Sequence, residues 1–306
     1  MAVPTSGIDT VKVVINGQTY NLTYNASTQK YEATITAPNR SSFNNNSGHY
    51  YPVTLTATDI AGNSVTKNDT DASLGNSLRL VVKETVAPTI TNLAPSRDTY
   101  LSTSTPTISA TLTDNDSGID ITTLILKLDD VTVQDSKITK NTVANGYTIS
   151  YIPESLEDGP HTVSITVKDN DGNTATAATT NFTIATTPPN LTIVSPVDEL
   201  KTNMSALVVN GTTNTDATIR IFLNEVEQGD VNVSKTTGEF SKTITLSNEG
   251  TNVVKIVAAN PAGVETIISK DVLYDVTPPV ISNVTLTPNP VDSGMTFVIS
   301  ATITDM

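Results

Sequence analysis

Residues 108–120 read ISATLTDNDSGID, which is a strand of alternating apolar and polar residues, an acidic loop and a short segment that leads into the next strand. The first part recurs at residues 299–305 as ISATITD, and the second recurs at residues 6–9 as SGID. Alternation with a period of two is typical of a strand with one buried face. The chain therefore repeats one strand–loop–strand unit, which is complete in the middle and divided between the two ends.

Proline residues mark three junctions between repeats, at Pro88, Pro188 and Pro278. A second marker, an alternating strand followed by a glycine-containing turn, recurs at residues 53–63 and 163–173 and again at 254–263. Proline cannot donate to a β-ladder and is found at strand starts and edges, and a spacing of about 90 to 100 residues is that of one β-sandwich. We expect an all-β chain of tandem Greek-key sandwiches.

The proline-led first strand, the Ser-Gly-Ile-Asp segment and the late Asp-x-x-Gly-Asn hairpin resemble the Ig-like repeats of prokaryotic surface proteins and phage virion proteins. The third repeat departs from this pattern, because Asn260 stands where the others have an aspartate. The resemblance implies stalks, adhesins, fibre subunits or decorations. The implied domains are an Ig-like sandwich without its first two strands at 1–86, complete domains at 87–187 and 188–277, and two donor strands at 278–306.

Composition and charge exclude several functions. The formal net charge is -14, with 17 basic and 31 acidic residues, whereas nucleic-acid binding requires basic surface, so we expect no such partner. The chain has no cysteine, which excludes disulfides and cysteine zinc sites. No apolar run approaches the roughly 20 residues that span a bilayer, and no signal peptide is apparent after Met1. We expect a protein of the cell exterior, the cell surface or a virion.

The sequence offers no catalytic constellation. Its two histidines, His49 and His161, fall in different repeats, and neither a G-x-S-x-G motif nor a glycine-rich phosphate loop occurs. We therefore expect a non-enzymatic protein with no catalytic residues.

The divided repeat predicts strand exchange. Two lone strands are marginally stable in water, and a sandwich that lacks two strands exposes its core and an edge. Both defects are removed if the C-terminal strands complete an N-terminal sandwich, and completion between chains produces head-to-tail filaments. The expected donor residues are Ile281, Val284, Phe297, Ile299, Ala301 and Ile303. The expected acceptors are Val11, Val13, Ile15, Val53 and Leu55.

Other readings of the same pattern stay open. The strands could close within one chain, or the chain could be a fragment of a longer array. As a different class of function, the repeats could form a stalk or adhesin segment, or a virion decoration, that binds a cell-surface or glycan ligand.

The polar residues predict two kinds of site, one for a calcium ion and one for N-linked glycans. Aspartates of the second repeat should converge with the linker residue Glu84 at one pole of the sandwich, and such a set suits calcium; turn formation is the alternative explanation for them. The expected calcium ligands are Asp114, Asp116, Asp120, Asp169 and Asp171. Sequons for N-glycosylation also occur in every repeat. The expected glycan acceptors are Asn21, Asn25, Asn68, Asn115, Asn181, Asn190, Asn203, Asn210, Asn232 and Asn283.

Overall fold

The structure is a computed structural model that describes residues 7–305; residues 1–6, among them Ser6 of the repeated segment, and Met306 lie outside it. It is an all-β protein of tandem Ig-like sandwiches, with 53% of residues in strands. The described residues divide into two compact units. The first contains the chain up to Thr99 and residues 105–183, and the second contains residues 100–104 and the chain from Ile184 onward.

The first domain is built around one sheet. Its strands are β1 (Ile8–Ile15), β2 (Gln18–Asn25), β3 (Lys30–Glu32), β4 (Tyr51–Asp59), β5 (Ser64–Lys67) and β6 (Arg79–Leu80), with a 3₁₀ helix at Gly75–Leu78. The order is β3-β2-β1-β4-β5, and β6 pairs with β4. The β1–β2 hairpin turns at Asn16 and Gly17, both with positive φ, as the Asn-Gly pair predicts. In the part of this domain that the structure describes, no second sheet is formed.

The second domain is a two-sheet sandwich. Its strands are β7 (Thr89–Ala94), β8 (Thr99–Leu101), β9 (Ile108–Thr113), β10 (Ile119–Leu128), β11 (Val131–Thr132), β12 (Thr139–Val143), β13 (Gly146–Tyr151), β14 (Gly159–Asp169) and β15 (Ala178–Ile184), with a 3₁₀ helix at Asp135–Lys137. One sheet has the order β12-β13-β9-β7 and the other β11-β10-β14-β15-β8. The alternating residues Val163, Ile165 and Val167 of β14 are at most 1% exposed, so the predicted inward face is confirmed.

The third domain repeats this architecture. Its strands are β16 (Leu191–Ser195), β17 (Leu200–Thr202), β18 (Ala206–Thr213), β19 (Thr218–Leu223), β20 (Val226–Glu227), β21 (Glu239–Thr245), β22 (Gly250–Ala259) and β23 (Glu265–Tyr274). The sheets have the orders β16-β18-β21 and β17-β23-β22-β19-β20. Val254, Ile256 and Ala258 of β22 lie in its core, again as the alternation predicts.

The chain continues into a two-stranded sheet of β24 (Val280–Thr287) and β25 (Val298–Thr304). Its apolar side chains are exposed, including Ile281 at 65% and Val298 at 63%. A hairpin of this kind has no core of its own.

Candidate functional sites

The hairpin of β24 and β25 reproduces the first strand pair of the second domain. Ile281 lies opposite Ile303 as Ile90 lies opposite Leu112. A bulge then interrupts both pairs, and in β24 it contains Asn283 with a φ of 50°. The register thus matches residues 299–304 of β25 with residues 108–113 of β9.

These counterparts differ in burial. Ile108 and Leu112 of β9 are 0% exposed, whereas Ile299 and Ile303, which occupy the same positions in β25, are each 64% exposed. The other predicted donors, Ile281, Val284, Phe297 and Ala301, are also exposed. All the predicted donor side chains lie in the hairpin and are accessible to a partner.

The sheet of the first domain corresponds to the β11-β10-β14-β15 part of the second domain. Val13 lies opposite Leu55 as Leu126 lies opposite Ile165. Leu126 and Ile165 are 0% exposed, while Leu55 is partly exposed. Of the predicted acceptors, Val11 and Val13 are buried, whereas Ile15 and Val53 are, like Leu55, partly exposed. The face that would form a sandwich core is therefore incompletely covered.

A cavity of about 360 Å³ lies beside this face, and its lining includes Ile15, Tyr20, Ile35 and Leu80. In the second domain the strand of the second hairpin, β13, pairs with β9. In the first domain the comparable segment, residues 33–38 after β3, is in no strand. The cavity and this segment mark where a counterpart of β9 would lie.

A second site is an acidic cluster at the junction of the first and second domains. Carboxylate oxygens of Glu84, Asp114 and Asp169 lie within 4.8 Å of one another. Asp114 is 7% and Asp169 1% exposed. Burial, together with the charges of Asp114 and Asp116, raises the pKa of Glu84 above its ordinary value, although hydrogen bonds from Ser117 act against it. Clustered carboxylates of this kind repel one another unless a proton or cation intervenes.

Local hydrogen bonds hold each carboxylate in place. Asp114 accepts from the Gly118 amide at 2.8 Å, and Asp169 accepts from the side-chain amide of Asn173 at 2.6 Å. Glu84 accepts from the Ser117 amide at 2.6 Å. The Ser117 side chain is fully buried, and its hydroxyl lies beside the Glu84 carboxyl, whose pKa it helps to lower. The cluster therefore contains a further oxygen that could coordinate a cation.

The remaining predicted calcium ligands have other contacts. Asp116 forms an ion pair with Arg40 at 3.1 Å, and Asp171 accepts from the backbone amide of Glu84 at 3.0 Å. Asp120 accepts from its neighbour Thr122. Of the five, the structure places Asp114 and Asp169 in the cluster. Ser117 carried no sequence signal, because serine is common in loops.

In the third domain, the positions equivalent to Glu84, Asp114 and Asp169 hold uncharged residues. Glu84 stands five residues before β7, and Thr186 stands five residues before β16. Asn214 follows β18 as Asp114 follows β9. Asn260 replaces Asp169 and makes the same turn, accepting from the Val264 amide at 2.9 Å. Since asparagine forms this turn, turn geometry alone does not require the aspartate.

The sequons occupy varied surroundings. Asn21 and Asn283 are exposed on strands, whereas the side-chain oxygen of Asn210 is buried without a partner. Asn25 donates to Glu32 at 2.9 Å, and Asn181 donates to Asp98 at 2.5 Å. Glycosylation stays a prediction, with the exposed sequons best placed for it.

Two family models match the chain. Residues 86–186 match the bacterial Ig-like domain, and residues 189–276 match domain B of glucodextranase. A comparison with curated protein sequences gives no match. Within the described residues, no helix is long and apolar enough to cross a membrane.

Solved structures of tandem β-sandwiches are also similar. Fibronectin(III)-like modules of Clostridium thermocellum CbhA share 14% identity, with 61% of this chain and 93% of theirs covered and a TM-score of 0.38. An I-band fragment of titin shares 13% identity, with 89% of each chain covered and a TM-score of 0.41. Sidekick-1 immunoglobulin domains share 15% identity, with 96% of this chain and 59% of theirs covered and a TM-score of 0.38. Similarity at this level does not extend to function.

Proposed function

We propose that this array of Ig-like domains, whose residues 86–186 match the bacterial Ig-like family, is a structural surface protein that assembles by strand addition. The β24–β25 hairpin of one copy completes the first domain of the next. The observation that carries the proposal is that Ile299 and Ile303 are exposed at positions where β9 has fully buried residues. Bacterial Ig-like domains are typically extracellular, which supports a location at the cell surface.

The energetics favour such addition. Burying one isoleucine side chain contributes about 1.5–3 kcal/mol, and the hairpin exposes several large apolar residues. In strand addition, main-chain hydrogen bonds add affinity, and the pockets that receive alternate side chains add specificity. Because donor and acceptor are different surfaces, each copy can bind two others, and the product is an open chain of subunits.

Deleting residues 279–306 is expected to abolish assembly. The chain and the deletion variant are compared by light scattering and electron microscopy, and a peptide spanning residues 279–306 is then added to the variant. We expect long particles from the chain, monomers from the variant, and binding of the peptide to the variant. A stable monomer at every concentration, together with a variant that does not bind the peptide, would overturn the proposal. That result would favour the stalk or adhesin function.

We also propose that a divalent cation, with calcium the expected ion, binds Glu84, Asp114 and Asp169 and stiffens the first junction. Two of these carboxylates are buried, and oxygen ligands suit calcium. The neutral junction at Asn214 and Asn260 supports this proposal, because it shows that the fold tolerates asparagine there.

Calcium is expected to raise the melting temperature of the chain, and Asp169→Asn is expected to remove that response.

Without calcium, the free energy of unfolding should fall as the pH rises from about 4.5 toward the raised pKa of Glu84, because the folded state binds the Glu84 proton more tightly than the unfolded state does. Glu84→Gln should remove this slope. Differential scanning calorimetry measures both effects. An equal calcium shift in Asp169→Asn would refute the site.

A further inference from the structure

A groove of about 460 Å³ lies on the outer face of the second domain, across the neighbouring strands β10, β14 and β15. Lys127 of β10 lies opposite Ser164 of β14, and Thr162 shares the face of Ser164 because alternate residues of a strand point to the same side. Apart from Val163, which is 1% exposed, the lining is polar. The volume falls in the range of about 300–1,000 Å³ that is usual for small-molecule sites.

One wall of the groove is a loop that carries Arg97 between β7 and β8. The hydroxyl of Thr180 in β15 donates to the carbonyl of Pro95 at 3.0 Å. The Asp98 amide donates to the carbonyl of Asn181 at 2.9 Å, and the Asn181 side chain donates back to Asp98 at 2.5 Å. The backbone on both sides of Arg97 is therefore fastened to the sheet.

The two cations of the groove, Arg97 and Lys127, are not engaged elsewhere. Within the residues that the structure describes, neither side chain has a hydrogen bond or an ion pair. The chain has three other arginines, and each of them donates to an oxygen of another residue: Arg40, Arg79 and Arg220. Free cations at a fixed position favour an anionic ligand, and the planar guanidinium fork matches a carboxylate.

The positions of the two cations indicate a ligand larger than one small ion. Lys127 stands on β10, and the loop of Arg97 is bonded to β15, with β14 between the two strands. Two strand spacings amount to about 10 Å. The cations therefore lie on opposite sides of the groove, where each meets a different part of a bound molecule.

The remaining polar groups narrow the class of ligand. Asp130, in the turn after β10, also lines the groove, and its neighbour Asp129 is held by the Thr162 amide at 2.8 Å and by His161 at 2.7 Å. A carboxylate repels a ligand that carries only negative charge, but it accepts hydrogen bonds from hydroxyl groups. The hydroxyl of Ser164 both donates and accepts. A molecule with both carboxylates and hydroxyl groups satisfies this set.

We infer that the groove binds an acidic oligosaccharide whose sugars carry carboxylates. Arg97 and Lys127 bind carboxylates on different sugars, and Asp130 accepts from a ring hydroxyl. All lining residues belong to the second domain, so this site does not depend on strand addition. It would give an array of Ig-like domains a ligand of its own.

The test is isothermal titration calorimetry of the full chain with trigalacturonate in calcium-free buffer. Maltotriose is the uncharged control with similar hydroxyl groups, and sodium sulfate is the anion without them. We expect trigalacturonate to bind at least tenfold more tightly than either control. Added sodium chloride should weaken this binding, because salt screens exposed charges.

Matched variants locate the site. Arg97→Gln and Lys127→Gln should each lower the affinity for trigalacturonate by about ten- to a hundredfold, since each removes charge-assisted hydrogen bonds. Lys201→Gln makes the same change of charge at an exposed position of the third domain, and it should leave the affinity unchanged.

Three outcomes would overturn the inference. They are the absence of trigalacturonate binding, binding of maltotriose or sulfate as tight as that of trigalacturonate, and an equal loss of affinity in Lys201→Gln and Arg97→Gln. None of them bears on strand addition, and a failure of assembly leaves the saccharide site standing.

Discussion

Replacing Ile299 and Ile303 together by aspartate is expected to abolish assembly without unfolding the second and third domains. Both side chains are 64% exposed in the single chain, so the charges cost little there. In the completed sandwich they would take the positions of Ile108 and Leu112, which are fully buried. Losing two buried isoleucines removes about 3–6 kcal/mol, and a buried unpaired charge adds several more. Each 1.4 kcal/mol is about tenfold in affinity, so association should fall by more than about a hundredfold.

The matched control is Ser300→Asp with Thr302→Asp. These residues alternate with the isoleucines, and their counterparts Ser109 and Thr111 are partly exposed in the second domain. We expect this variant to assemble nearly as well as the unchanged chain in light scattering and electron microscopy. Equal loss in both variants would show that added charge, rather than burial of one face, weakens assembly.

In the unassembled chain, Leu55→Ala is expected to lower the free energy of unfolding much less than Ile165→Ala does. Ile165 is 0% exposed, and its truncation should cost the second domain about 2–5 kcal/mol. Leu55 occupies the matching position in the first domain but is partly exposed, so less contact is lost. Once a hairpin covers the first domain, the cost of Leu55→Ala should rise toward that of Ile165→Ala.

The comparison is made by urea unfolding followed by circular dichroism, on chains lacking residues 279–306 with and without the added hairpin peptide. Ser164→Ala, on the outer face of β14, serves as the control and should change stability by less than about 0.5 kcal/mol. A Leu55→Ala cost that is already large without the peptide, and unchanged by it, would show that the first domain has a complete core of its own.

Much of the fold is predictable from local pattern. Val163, Ile165 and Val167 alternate in sequence and lie inward in β14, because a period of two places alternate residues on one face. The turn at Asn16 and Gly17 is predictable because both residue types tolerate the positive φ that a tight hairpin turn requires. The counterpart relation of β24–β25 to β7–β9 is also visible in the sequence, because the repeated segment carries the register with it.

The sites are less predictable, because they depend on which polar groups find partners. Asp116 and Asp120 have the residue type and spacing of ligands, yet one pairs with Arg40 from the first domain and the other caps its own turn. The position of Ser117 beside Glu84 depends on how the linker packs. Sequence spacing orders residues along the chain but does not fix such contacts between segments that are distant in sequence.

The most direct measurement is a disulfide between two copies, because the chain has no cysteine of its own. Ser300 is the counterpart of Ser109, which lies opposite Ser150. Thr34 stands three residues after Tyr31, as Ser150 stands three residues after Tyr147. Opposed residues of antiparallel strands have Cα atoms about 4.5–5.5 Å apart, within disulfide range.

Chains carrying Thr34→Cys are mixed with chains carrying Ser300→Cys under mild oxidation, and the products are separated without reductant. A parallel mixture replaces the second chain with Thr192→Cys, an exposed position on β16, which is already paired within the third domain. Strand addition predicts a disulfide-linked dimer in the first mixture well above the level in the second. Equal and low cross-linking in both mixtures would contradict the insertion of the hairpin into the first domain of another copy.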